Sequence, residues 1–253
     1  MCFEPDSSPP IPVISGAAVS HDQLVLEAKD GNRFAAFAAL PDEGAVRAGV
    51  VILPDVRGLY RFYEELALRF AERGYPAIAF DYFGRTAGVE KRDDDFEYMP
   101  HVQATTAEGI QADVAAAAEW LRMRAGVESI LTVGFCMGGR HSWLSAAGGH
   151  GLVGAVGFYG RPGQGQDGTP GPIQRAPEME CPILALQAGD DQNITADDNA
   201  EFERALEAAR VEHELVTYEG APHSFFDRRQ EDYAAASDDA WARVLAFIDH
   251  HAR

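Results

Sequence analysis

A thiol, an imidazole and several carboxylates stand in this 253-residue chain at points where strand-like patterns end. Cys136 lies in "LTVGFCMGGRHSW", a β-branched run that breaks into Gly134-Phe135-Cys136-Met137-Gly138-Gly139 and continues in residues that suit a helix. A cysteine at a sharp strand-to-helix turn, between glycines that let the two backbones come close, has the shape of a nucleophile elbow, G-x-S-x-G, with cysteine replacing serine. Such a turn lifts the side chain to a helix N-terminus. There the macrodipole favours thiolate over thiol, and the N–H of Met137 can donate to an oxyanion.

A thiol with a pKa near ~8.5 is mostly protonated at neutral pH and needs a base. Of eight histidines, seven have structural explanations. His21 and His213 fall near strand edges, His101 and His150 in loops or helix ends, and His250 and His251 in the C-terminal tail. His141 falls within the helix after the elbow, so its side chain is expected to point away from the thiol. His223 differs: "YEGAPHSFF" puts it in a loop after a strand, in a turn shaped by Gly220 and Pro222. A base needs an acid to hold its tautomer, and "QAGDDQNIT" offers Asp190 or Asp191. Asp55 follows another strand pattern, "AGVVILP".

The elements that must position these groups alternate between strand and helix from about residue 23 onward. QLVLEA and FAAFAAL read as a hairpin turning at Asp30-Gly31-Asn32. "AGVVILPD", "YPAIAFD", "SILTVGF", "GLVGAVGFYG", "PILALQAG" and "HELVTYEG" read as further strands, the continuous apolar ones typical of a parallel sheet covered on both faces. Helices are expected at about 61–73, closed by Gly74, at 106–124 with a Thr105-x-x-Glu108 capping box, from the elbow to about 147, at 196–209 and at about 230–251. Residues 83–103, with the charge run "EKRDDDFE", are expected to be an irregular solvated loop rather than a metal site, and the Gly/Pro-rich 161–180 a long loop. With no repeat or dividing linker, residues 21–253 form one α/β domain with a mostly parallel sheet flanked by helices, behind a Pro-rich arm, 1–20, lying over the surface. In such a sheet ligands collect beyond the C-terminal strand ends, where Asp55, Cys136, Asp191 and His223 all fall.

Forty acidic against 21 basic residues give a formal charge of −19, which argues against nucleic acid as a partner. An anionic substrate would have to be drawn by local arginines against that field. No apolar run approaches the ~18 residues of a membrane span, and the N-terminal stretch lacks a secretory leader, so the cytoplasm is the default location. Three scattered cysteines make neither a disulfide framework nor a metal site. Cys2 sits in the tail, and Cys181, opening "CPILALQAG", reads as core.

The chain resembles the dienelactone hydrolase family of α/β-hydrolases over about residues 24–250, through "GFCMGGR", "GDDQNIT" and "YEGAPHSFF". The cysteine elbow is the specific part, since α/β-hydrolases in general carry serine. The resemblance implies an α/β-hydrolase fold and a Cys136–His223–Asp191 triad, Asp191 being the acid three residues before the branched Ile194. It implies Val56 N–H as the second oxyanion donor and Asp55, where glutamate is more familiar, as a carboxylate gating the thiol. Arg85 in "FDYFGR" falls where a substrate carboxylate would be held, whereas Asp227 stands where a second such arginine is expected and Arg228 is one step off.

The implied activity is hydrolysis of ester or lactone bonds, such as dienelactone-like enol lactones, through a thioester on Cys136. A general carboxylesterase for short activated esters is the alternative with the same residues. A non-catalytic ligand-binding protein with a redox-sensitive Cys136 is the alternative from another class. No cofactor is implied, and oligomeric state is left open.

Overall fold

Strand β3 (Gly49–Leu53) shows why the middle of the chain reads as unbroken apolar residues: all five are buried. Val50 and Ile52 face one layer of core, and Val51 and Leu53 face another. The computed structural model describes every residue except 1, 2, 5, 45, 93, 94, 166 and 253. Cys2 and two aspartates of the charge run lie outside the described residues.

The other strands are β1 (Val19–Glu27), β2 (Arg33–Pro41), β4 (Ala77–Phe80), β5 (Ile130–Phe135), β6 (Gly154–Phe158), β7 (Ile183–Asp190) and β8 (His213–Pro222). They form an eight-stranded sheet in the order β1-β2-β4-β3-β5-β6-β7-β8. β1 and β2 pair antiparallel, as does β2 with β4, and every pairing from β4 through β8 is parallel. The residues following β3, β5, β6, β7 and β8 therefore share one rim.

The helices are α1 (Arg61–Ala71), α2 (Gly84–Ala87), α3 (Tyr98–Ala104), α4 (Ala107–Ala125), α5 (Met137–Ser145), α6 (Pro172–Arg175), α7 (Ala196–Ala209) and α8 (Ala234–His251). α1 and α8 cover one face of the sheet with Phe62, Leu66, Phe70, Val244 and Ile248. α4 covers the other through Ile110, Val114 and Leu121, and α5 and α7 join it with Trp143, Phe202 and Leu206. Both faces are thus dry, which is the condition a parallel sheet requires. Among the described residues no helix is long and apolar enough to cross a membrane.

α1 ends as its Gly74 indicates: Gly74 takes a φ of 85° and Tyr75 N–H donates back to the Phe70 carbonyl at 3.1 Å. Four expectations need correction. The cap of α4 is Thr106, whose hydroxyl accepts from Gly109 N–H at 3.1 Å, while Thr105 instead donates to the Val102 carbonyl at 2.7 Å and closes α3. Residues 83–103 contain α2 and all but the last residue of α3, and 161–180 contain α6, all too short to stand out by periodicity. Arg92 of the charge run is not solvated: it donates to the buried Asp81 at 2.8 Å, and the two side chains are 6% and 1% exposed. Nor does the N-terminal arm only lie over the surface. Phe3 is buried and stacks on Phe62 at 4.0 Å, and Ile11 is fully buried.

Candidate active site

The turn from β5 into α5 is tight enough to dictate its glycines. A Cβ on Gly134 would lie 2.0 Å from the Gly138 carbonyl oxygen, and one on Gly138 would lie 2.1 Å from that of Leu53. No side chain fits at either place. The contacts also seat the first turn of α5 on the end of β3, three residues before Val56. Cys136 itself has φ 55° and ψ −115°, a conformation most residues avoid, and its N–H donates to the Phe158 carbonyl at 3.0 Å. Tyr159 (φ 36°) and Ser224 (φ 65°), beside the same rim, also have positive φ. Strain of about 1–3 kcal/mol at each such residue persists only where packing enforces it, and it tends to gather at functional sites.

His223 follows β8 directly, and Asp191 follows β7. Asp191 Oδ2 and His223 Nδ1 are 2.6 Å apart, and Asn193 N–H donates to Asp191 Oδ1 at 2.9 Å. Burial alone would raise the Asp191 pKa, but the bonds from His223 and Asn193 outweigh it and hold the carboxyl below its usual range. Nδ1 is thus the ring nitrogen that the carboxylate holds. Tyr159 packs against the imidazole with 4.8 Å between ring centres. Asp190, the other acid considered, accepts from Gln192 at its exposed position.

Cys136 and His223 line one cavity of about 300 Å3, together with Met137, Arg140, Tyr159, Arg161, Asn193 and Ile194. Met137 is the first residue of α5, so its N–H has no acceptor within the helix. Val56 lies in the turn after β3. Asp55, fully buried, shapes that turn by accepting from Arg57 N–H at 2.8 Å and from the Tyr60 hydroxyl at 3.2 Å, and its own N–H donates to the Tyr63 hydroxyl at 2.9 Å. Burial, then the charges of Asp55 and Cys136, drive the Tyr82 phenol well above its ordinary pKa, so both groups act on one neighbourhood.

Arg85 does not join them. Its guanidinium donates to Asp113 of α4 at 2.6 Å and to Asp30 of the β1–β2 turn at 2.7 Å. The expectation that it faces a substrate carboxylate is corrected: two nearer carboxylates already hold it. Arg140 and Arg161 line the cavity of Cys136 instead, and sequence reading missed both. Arg140 is one helical turn from Cys136, a spacing that could have flagged it, whereas Arg161 gives no such signal.

Asp227 and Arg228 are used on the N-terminal arm. Asp227 accepts from Ser8 N–H at 3.3 Å, and Arg228 donates to the Pro9 and Ile11 carbonyls at 3.2 and 3.3 Å. The arm also carries Glu4, whose carboxylate is 3.8 Å from Arg57. Phe3 and Glu4 thereby form one wall of a second cavity, about 420 Å3, on the other side of His223.

Two remaining expectations concern histidines and metals. His141 is buried and lines neither cavity, and burial pushes its pKa down to about 3. Among the described residues Glu212, His250 and His251 bring ligand atoms within 4.8 Å of one another, at the end of β8 opposite His223. Their separation in sequence concealed that grouping.

A family model described as "Dienelactone hydrolase family" matches residues 34–252. The chain belongs to this family. Dienelactone hydrolase family relatives include an Escherichia coli (strain K12) protein named "Putative carboxymethylenebutenolidase", 30% identical over 211 residues that make up 80% of this chain and 76% of that one. A Bradyrhizobium protein named "Probable 2-oxo-3-(5-oxofuran-2-ylidene)propanoate lactonase" is 25% identical over 88% of this chain and 91% of its own length. The crystal structure of a "Putative Dienelactone Hydrolase" from Klebsiella pneumoniae superposes with a TM-score of 0.80 at 26% identity, covering 92% of this chain and 99% of that one. This member of the dienelactone hydrolase family is accordingly an ester or lactone hydrolase with an α/β fold, and its substrate is a small molecule.

Proposed function

We propose that the chain opens esters or lactones by two-step acyl transfer on Cys136, with His223 as base and Asp191 as the acid that orients it. The observation that carries this reading is the shared cavity: a cysteine in a strained elbow lines it together with a histidine whose far nitrogen is fixed by a carboxylate at 2.6 Å. His223 Nε2 takes the thiol proton, and sulfur attacks the carbonyl carbon. The oxyanion receives the N–H groups of Met137 and Val56, donors that typically stabilise such a transition state by ~3 kcal/mol each. When the C–O bond breaks, His223 returns the proton to the leaving oxygen. Water, activated by the same imidazole, then cleaves the thioester.

A thiolate leaves the tetrahedral intermediate more readily than an alkoxide, so productive collapse needs a good leaving group. Enol lactones supply one, because a conjugated enolate leaves easily. Asp55 takes two roles in this reading: it fixes the turn bearing Val56, and it acts as the carboxylate that gates the thiol. The engagement of Arg85 by two aspartates favours a second reading, a carboxylesterase for short activated esters with the same chemistry.

Intact-mass measurement during turnover of p-nitrophenyl acetate is expected to reveal an acetylated enzyme in the wild type and none in Cys136→Ala, with hydrolysis abolished in the variant. Turnover that survives the substitution would exclude this mechanism, and Cys136-dependent hydrolysis of a dienelactone ahead of simple esters would select the lactone reading.

A further inference from the structure

The peptide that joins Pro54 to Asp55 is gripped by two phenols. The Tyr82 hydroxyl donates to the Pro54 carbonyl at 2.6 Å, and the Asp55 N–H donates to the Tyr63 hydroxyl at 2.9 Å. In a trans peptide the C=O and N–H point in opposite directions, so the two rings hold one rigid plane from opposite sides. Both tyrosines are buried; Tyr63 belongs to α1, and Tyr82 stands two residues after β4. β4 runs parallel beside β3, which brings Tyr82 level with the turn that starts at Pro54.

The next peptide carries the Val56 N–H. Its carbonyl, that of Asp55, accepts from Gly58 N–H at 3.1 Å. With the preceding peptide held by phenols and its own carbonyl held by Gly58, the Val56 N–H has its direction set before any charge develops. Such a donor needs no reorganisation during the reaction, which is the source of its effect. The Pro54 carbonyl also lies against the elbow, since a Cβ on Gly138 would come within 2.3 Å of its oxygen. Gly138 follows Met137, so the clamped peptide sets the spacing between the two N–H donors as well. Burial, then the charges of Asp55 and Cys136, keep the Tyr82 phenol protonated and therefore a donor at any ordinary pH.

We propose that Tyr82 and Tyr63 are positioning residues, which clamp the Pro54–Asp55 peptide and thereby aim the Val56 N–H at the substrate oxyanion. The role rests on the acyl-transfer reading above. Phenylalanine would fill the same core space at both positions; what the hydroxyls add is the orientation of one peptide. Substrate meets only the backbone that they hold.

The test separates oxyanion binding from thiol reactivity. Trifluoroacetone accepts the Cys136 sulfur at its carbonyl carbon, the thiol proton passing to His223, and leaves an oxyanion where that of the ester would form. Methyl methanethiosulfonate meets the same thiolate with no oxyanion: an S–S bond forms as methanesulfinate leaves, and peptide mass spectrometry separates Cys136 from the other cysteines. In Tyr82→Phe and Tyr63→Phe the dissociation constant of the ketone adduct is expected to rise about 10-fold or more. For p-nitrophenyl acetate, kcat should fall in proportion with KM nearly unchanged. The methanethiosulfonate rate should stay within about 2-fold of wild type, because that reaction makes no use of the donors. Tyr75→Phe, which removes a phenol–carboxylate bond to Asp249 at the opposite end of β4, should alter none of these. Ketone affinity that survives both substitutions, or a methanethiosulfonate rate that falls as far as the ketone affinity, overturns the clamp. If Tyr82→Phe folds poorly, Tyr63→Phe carries the same expectation from the other end of the peptide. A wild type that forms no ketone adduct sinks acyl transfer and the clamp together, whereas adducts equally tight in wild type and both variants sink the clamp alone.

Discussion

Arginine serves opposite ends on the two sides of the elbow. Toward β2 and β4, Arg85 and Arg92 are locked to Asp30, Asp113 and Asp81, and their charges are consumed in holding loops to the sheet. Toward β6 and β7, Arg140 and Arg161 face the cavity of Cys136 with no carboxylate in its lining. What an arginine does is therefore decided by whether a buried carboxylate lies closer than the site. On the first side substitutions should change stability, and on the second they should change rate.

The largest contrast is expected at Asp191. Asp191→Asn leaves the shape of the site but removes the charge that orients His223, and kcat should fall about 10^3–10^4-fold with the melting temperature nearly unchanged. Because the Asp191 carboxyl is held below its usual range, it stays ionised well into acid. The acid limb of kcat/KM in the wild type should therefore lie above the titration of Asp191. A variant that loses stability rather than rate would erase the distinction between the sides.

Arg92→Ala should do the reverse, leaving Asp81 buried and unpaired at a cost of about 3–5 kcal/mol in urea unfolding. Asp81 also accepts from Leu59 N–H at 3.1 Å, so loosening would reach the turn after β3. Arg85→Ala, at a half-open pair, should cost about 1–3 kcal/mol. It should leave Cys136-dependent ester hydrolysis untouched, and a lowered rate would return Arg85 to the site.

An effect that vanishes at neutral pH concerns His141, next to Arg140 in sequence and buried in the protein. Folded His141 stays neutral down to about pH 3, whereas the unfolded side chain takes up a proton near its ordinary 6.5. Its contribution is complete above pH 6.5 and is lost as the pH falls from 6.5 toward 3. At pH 4.5 the loss is on the order of 2–3 kcal/mol. His141→Asn should flatten unfolding free energy over that window, and an unaltered slope would show that other groups carry the acid sensitivity.

The order of elements was legible because buried parallel strands leave continuous apolar runs; Cys136 and Asp191 stood out because each follows one, and His223 because it follows the strand pattern of β8 in a Gly/Pro-shaped turn. Their Nδ1–carboxylate contact follows from adjacent strands β7 and β8 ending together. Partners distant in sequence were not legible. Nothing near Arg85 announces that Asp113, on α4, will claim it, and nothing in "EKRDDDFE" marks Arg92 as the buried member. Phe3 in a Pro-rich stretch gives no sign that its ring will rest on Phe62, because that depends on a vacancy created by other elements.

The arm's anchoring has a consequence for the order of assembly. The Arg228–Pro9 contact joins residues 219 positions apart, and Phe3 also lies near Phe135 and Tyr159 at 6.1 and 6.3 Å. Residues 3–11 thus leave the ribosome long before their seat exists and cannot dock until the loop after β8 has been made. They are synthesised far ahead of that loop and settle only after it, and a nascent chain halted short of residue 228 would keep Phe3 and Ile11 exposed to chaperones.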